Sequence, residues 1–136
     1  MKAMFVDTAG WMMLADGSDP HHRAARAERD GWLQAGGLLV TTDYVADETL
    51  TLLRMRLNLE AAEAWWQQVD GSARLRWEWI DPERAAKARA ALFRWRDKEF
   101  SFTDCTSFVV MRERRIKLAL TSDRHFAQAG FECRPG

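Results

Sequence analysis

The chain has 136 residues, 20 basic and 20 acidic side chains, a formal net charge of zero at pH 7 and 47% apolar residues. That length reads as a single domain, 1–136, with ample material for a packed core, and the charge balance excludes a protein that grips nucleic acid through bulk positive charge. Asp7 cuts the opening apolar run short, no later stretch approaches the roughly 18 apolar residues of a membrane span, and Cys105 and Cys133 lack zinc-ligand spacing, so a cytoplasmic protein with reduced thiols and no membrane contact is expected.

The elements alternate along the chain. Ala3-Met4-Phe5-Val6 is a buried strand that ends at Asp7. A helix over about 8–15 and another over 21–35 are separated by Asp16-Gly17-Ser18-Asp19-Pro20. A strand at 38–41 leads to a helix at 44–57, with Asp43 as its expected N-cap. On that helix Glu48 projects between Leu52 and Met55, at the margin of the apolar arc, whereas Asp47 projects to the polar side with Thr51 and Arg54. A helix at 59–69 and a strand at 75–80 follow, and Asp81-Pro82-Glu83 opens a helix at 83–96. Asp104 heads a helix at 104–115 and shares a face with Phe108 and Met111; strands at 118–121 and 131–133 complete the chain. This alternation describes an α/β domain with a mainly parallel sheet of four to five strands covered by helices.

Asp7 and Asp123 each follow a strand, at the edge where open α/β sheets bind ligands. Asp104 and Glu48 are placed to reach the same rim, and the convergence of all four acids would make a divalent-cation site. Taken singly, Asp7, Asp104 and Asp123 serve equally well as helix caps, and Ser101-x-x-Asp104 is a capping-box pattern. Glu48 is harder to dismiss, because an ionisable group seldom lies against an apolar face without a partner.

The local wording adds to the spacing. Met4-Phe5-Val6-Asp7-Thr8, Thr41-Thr42-Asp43-Tyr44-Val45-Ala46-Asp47-Glu48-Thr49-Leu50, Ser101-Phe102-Thr103-Asp104-Cys105-Thr106-Ser107-Phe108 and Thr121-Ser122-Asp123-Arg124-His125-Phe126 together resemble the PIN-domain family, particularly its VapC-type toxin ribonucleases, over essentially the whole chain. The resemblance implies a three-layer α/β/α fold. It carries Asp7, Glu48, Asp104 and Asp123 over as the acidic set that holds Mg²⁺ or Mn²⁺ for RNA cleavage, and none of the four is substituted. It further implies a small VapB-type antitoxin as partner, a homodimer, and contact with promoter DNA only through the antitoxin.

Carboxylates suit this chemistry because hard cations prefer oxygen ligands and compensate charge at a phosphodiester. Asp7 and Asp104 are expected to anchor the ion, Asp123 to complete its shell or recruit a second ion, and Glu48 to orient water or bind the ion through one. Thr8, Thr103 and Ser122 supply short hydroxyls around these acids, and equally suit turns and caps. Arg112, Arg115 and Arg124 are candidates for RNA phosphate, as are Arg54, Arg56, Arg114 and Lys117, although basic residues also suit helix C-termini. His21, His22 and His125 lack ligand spacing and are left outside the mechanism. The tryptophans suit core packing or a protein interface better than base stacking.

A dehalogenase-like phosphotransferase would need a second aspartate two positions after Asp7, where Ala9 stands, and a receiver domain would need a mid-chain phosphoacceptor after a third strand. The rival reading is a catalytically idle PIN-like module that binds RNA or a protein through the same groove.

Overall fold

Five strands, β1 (Ala3–Val6), β2 (Leu38–Thr42), β3 (Leu75–Glu78), β4 (Leu118–Leu120) and β5 (Glu132–Arg134), form one sheet in the order β3-β2-β1-β4-β5. Every pairing is parallel in this computed structural model, which describes residues 2–136. The expected parallel sheet is present, with five strands and every pairing parallel. Phe5 pairs with Val40 on one side and Ala119 on the other, so β1 lies at the centre, and its apolar side chains Met4, Phe5 and Val6 are fully buried.

Seven helices fill the connections: α1 (Thr8–Ala15), α2 (His22–Gln34), α3 (Asp43–Arg56), α4 (Leu59–Val69), α5 (Pro82–Arg94), α6 (Phe102–Glu113) and α7 (Arg124–Gln128). Right-handed crossovers place the helices that precede β3 on one face of the sheet and those that follow it on the other. Contacts agree, with α1 packing on α2 and α3, α3 on α4, and α5 on α6. Strand order reverses between β1 and β4, which makes their C-terminal ends the switch point of the sheet. No helix among the described residues is long and apolar enough to cross a membrane.

Several local expectations need correction. The N-cap of α3 is Thr42, whose hydroxyl accepts from the Val45 amide at 3.1 Å. Asp43 instead accepts from the Ile80 amide at 2.8 Å and fastens the end of β3 to α3. Met55 is 76% exposed, because residues 54–57 project beyond the layer that covers the rest of α3. The apolar arc is thus Val45, Ala46, Thr49 and Leu53, with Glu48 beside it. α6 begins two residues before Asp104, and the Ser101–Asp104 capping box is formed in both directions. α7 is absent from the sequence reading, since five residues are too few to show a period.

Of the adjacent indoles, Trp65 is 3% exposed and Trp66 37%, as one helical face requires. Trp65 packs edge-on against Trp11, and Trp11 Nε1 donates to Thr41 Oγ1 at 3.1 Å. Buried Glu78 closes β3 by accepting from Arg84 at 3.0 Å and from Arg114. Burial pushes its carboxyl pKa up, but the two guanidinium groups outweigh that and hold it below the usual range. Glu78→Ala should cost about 2 kcal/mol in urea unfolding, less than a fully buried pair because Arg114 reaches water.

Gly10 is where α1 meets the β1–β4 seam. A Cβ there would lie 2.1 Å from the Leu120 carbonyl oxygen and 2.9 Å from Val6 Cγ1. Gly10→Ala should therefore destabilise the fold by about 3 kcal/mol or more, read as a lower urea midpoint. The same residue positions the site, because its amide holds Asp7.

Candidate active site

Asp7 ends β1 and caps α1. Its Oδ1 accepts from the Gly10 amide at 2.8 Å, and its Oδ2 accepts from the Thr121 hydroxyl at 2.8 Å. Thr121 Oγ1 in turn accepts from the Asp123 amide at 2.9 Å, so one hydroxyl couples the acids that follow β1 and β4. Asp123 caps α7 through the His125 amide at 2.9 Å. Each carboxylate is thus oriented by the helix it starts, and cap and site, alternatives in the sequence, are one arrangement in the fold.

Asp104 arrives on the first turn of α6, and Ser101 N–H fixes its Oδ2 at 3.1 Å. His125 Nδ1 lies 2.9 Å from the same oxygen and 3.3 Å from Asp123 Oδ1. Glu48 enters from α3. All four acids line one cleft of about 260 Å³ at the switch-point edge, with Thr8, Thr103 and Ser122 on its wall. The acids drawn from four separate segments therefore share a single cavity.

Burial raises the pKa of Asp7 from 3.8 to about 7; the Gly10 and Thr121 hydrogen bonds oppose the shift, while the charges of Asp123 and Asp104 add to it. Asp104 is also raised, chiefly by burial and further by Asp123, against the pull of Ser101 N–H and His125. A site that raises two carboxyl pKa values is one that gains from a cation. Donor chemistry fits one. Asp104, Asp123 and His125 each present a ligand atom within 4.8 Å of the others. Thr8 Oγ1 and Ser107 Oγ, on the wall of the same cleft, are buried without hydrogen-bond partners among the described residues. The carboxylate and hydroxyl oxygens gathered here suit a hard divalent ion, with His125 Nδ1 bonded to Asp104.

The arginines divide. Arg112 donates to the Ala129 carbonyl at 3.0 Å and lies over the Phe108 and Phe131 rings at 5.9 and 5.3 Å, so it braces α6 against the chain before β5. Arg115 ends the same helix in a left-handed turn, φ 57°. α6 spans 12 residues, roughly 18 Å, which places both at the end opposite Asp104. They do not line the cleft, and their position suits the helix C-terminus. Arg124 opens α7 and lines an adjoining hollow with Ser122, Asp123 and Cys133.

Three residues of this arrangement, His125, Ser107 and Asp19, escape the sequence reading, and Arg56 appears there only among several phosphate candidates at helix ends. His125 has no second histidine at ligand spacing, yet its partners are acids, one of them 21 residues earlier. Ser107 lies one turn after Asp104, which is a usable signal. Asp19 comes from the loop between α1 and α2 and gives no signal; Arg56, read only as one of several basic helix ends, lies two turns beyond Glu48 on α3.

The PIN domain family model matches residues 4–132. This chain belongs to the PIN-domain family. Over 133 residues it is 35% identical to the 23S rRNA-specific endonuclease VapC20 of Mycobacterium tuberculosis, in strains CDC 1551 / Oshkosh and ATCC 25618 / H37Rv, covering 97% of this chain and 98% of that protein. The crystal structure of Mycobacterium tuberculosis VapC20, a sarcin-ricin loop cleaving toxin, matches with a TM-score of 0.84 and 34% identity over 94% of this chain and 95% of that one. The PIN fold thus extends over nearly the whole chain, and the cleft stands at the sheet's own switch point.

Proposed function

We propose that this PIN domain is a divalent-metal-dependent endoribonuclease and the toxin of a VapBC-type toxin–antitoxin pair. The observation that carries this is the meeting of Asp7, Glu48, Asp104 and Asp123 in one cleft, in a chain that aligns end to end with a 23S rRNA endonuclease. Asp7, Asp104 and Asp123 would hold Mg²⁺ or Mn²⁺. When bound, the ion supplies charge compensation at the phosphodiester and acidifies the attacking water.

The chain's own residues do the rest. Glu48, which lines the cleft from α3, orients water and accepts its proton. Thr121 fixes the direction of Asp7, and His125 fixes that of Asp104. Thr8, Thr103, Ser107 and Ser122 offer hydroxyls to the ion's waters or to phosphate. The domain works in the cytoplasm as a homodimer, is silenced by a VapB-type antitoxin seated at the cleft, and meets DNA only through that antitoxin.

Purified protein incubated with a 23S rRNA fragment and Mg²⁺ or Mn²⁺ tests this reading. Cleavage at discrete sites is expected, with loss in EDTA and recovery on adding the ion back. Intact RNA under all conditions would overturn it and favour an idle module that binds RNA or protein through the groove.

A further inference from the structure

The cleft holds five acidic residues, Asp7, Asp19, Glu48, Asp104 and Asp123, and a single basic one, Arg56. A phosphodiester approaching so many carboxylates is repelled until a positive charge meets it. Arg56 is exposed and, among the described residues, has no hydrogen-bond or ion-pair partner, although carboxylates line the same cavity. Its guanidinium is therefore left with its donors unspent.

Its place on α3 is set by the same stripe that presents Glu48. Val45, Glu48, Leu52 and Arg56 follow at steps of three, four and four and all face the cleft. Attraction to the helix C-terminus serves Arg54 and Arg56 alike, but of the two Arg56 alone lines the cavity. We infer that Arg56 is the residue that receives a backbone phosphate of the RNA at the cleft, holding the strand over the acids through charge-assisted hydrogen bonds. This rests on the ribonuclease reading above and adds to it the contact that offsets the cleft's own negative charge. A basic patch on a neutral chain is unnecessary when one guanidinium stands where the phosphate enters.

The test is binding of an end-labelled RNA hairpin to the Asp7→Asn protein in Mg²⁺, measured by fluorescence anisotropy across a salt series, with Arg56→Gln, Arg56→Lys or Arg54→Gln added. Arg56→Gln should weaken binding about tenfold and reduce the slope of log affinity against log salt by about 0.7. Arg56→Lys should weaken it a few-fold and keep the slope, since the charge stays and the planar fork is lost. Arg54→Gln should match the parent. If Arg56→Gln and Arg54→Gln bind alike, the inference is overturned while the nuclease reading stands. Absence of RNA binding by the Asp7→Asn parent and by the wild-type protein would overturn both.

Discussion

Asp7→Asn and Asp104→Asn should each lower RNA cleavage by about a thousandfold, which corresponds to roughly 4 kcal/mol of transition-state stabilisation. Both variants should keep the fold. Asparagine is as good an N-cap as aspartate, so in Asp7→Asn the side-chain amide oxygen retains the Gly10 contact; in α6 the cap is Ser101, and in Asp104→Asn the amide oxygen still accepts from Ser101 N–H. What each loses is the negative charge that a cation requires. Initial rates at saturating Mn²⁺, with circular dichroism to verify folding, are sufficient to decide. Rates within about tenfold of wild type would remove the residue from the site. Glu48→Gln should lower the rate while leaving ion binding nearly intact, because its proposed task is the water.

The second large effect is on stability, and it runs against the first. Without a cation, Asp7 titrates at about 7 in the folded chain against 3.8 for an ordinary aspartate. Below about pH 4 both states hold the proton and the group contributes nothing. Between about pH 4 and 7 the unfolded chain has released it while the folded one keeps it, so stability falls as pH rises. Above about pH 7 the loss is constant, up to roughly 4 kcal/mol for a shift of this size. Asp7→Asn should accordingly stabilise the metal-free protein at about pH 7.5, and the gain should shrink steadily toward about pH 4. Urea titrations of both proteins across this range test the pattern. A divalent ion should restore the wild type at the upper end and do little for the variant. An Asp7→Asn difference independent of pH would refute the burial of an ionisable carboxyl at this position.

The same sign predicts that ion binding weakens in acid. Ligands must be ionised to coordinate, so apparent affinity should fall about tenfold per pH unit below about 7 for each proton displaced.

β1 and β4 could be read from the sequence because a buried parallel strand is a short apolar run, and Asp7 and Asp123 show themselves by following these two. Glu48 was legible because a charge beside an apolar arc needs a reason. Convergence was not legible from spacing, since Asp7 meets Thr121 across 114 positions and only the sheet order brings them together. His125 shows the limit clearly: its role comes from Asp104 on another helix, and no local rule for histidine would have found it. Arg112 and Arg115 lie away from the cleft, which their spacing could not show, because a basic helix end looks the same whether it faces phosphate or merely the helix dipole. Thr42 and Asp43 exchange roles because either can cap, and the Ile80 amide that claims Asp43 is 37 residues away.

At the centre of the proposal, carboxylates from β1, α3, α6 and the end of β4 act as one cation site. Calorimetric titration of Mn²⁺ into the wild type and into Asp7→Asn, Glu48→Gln, Asp104→Asn and Asp123→Asn at about pH 7.5 measures this directly. The expected result is binding by the wild type, at least roughly tenfold weaker binding in each aspartate variant, and a smaller loss in Glu48→Gln. Mn²⁺ affinity unchanged in all four variants, or RNA cleavage by a wild-type protein that binds no ion, would contradict it.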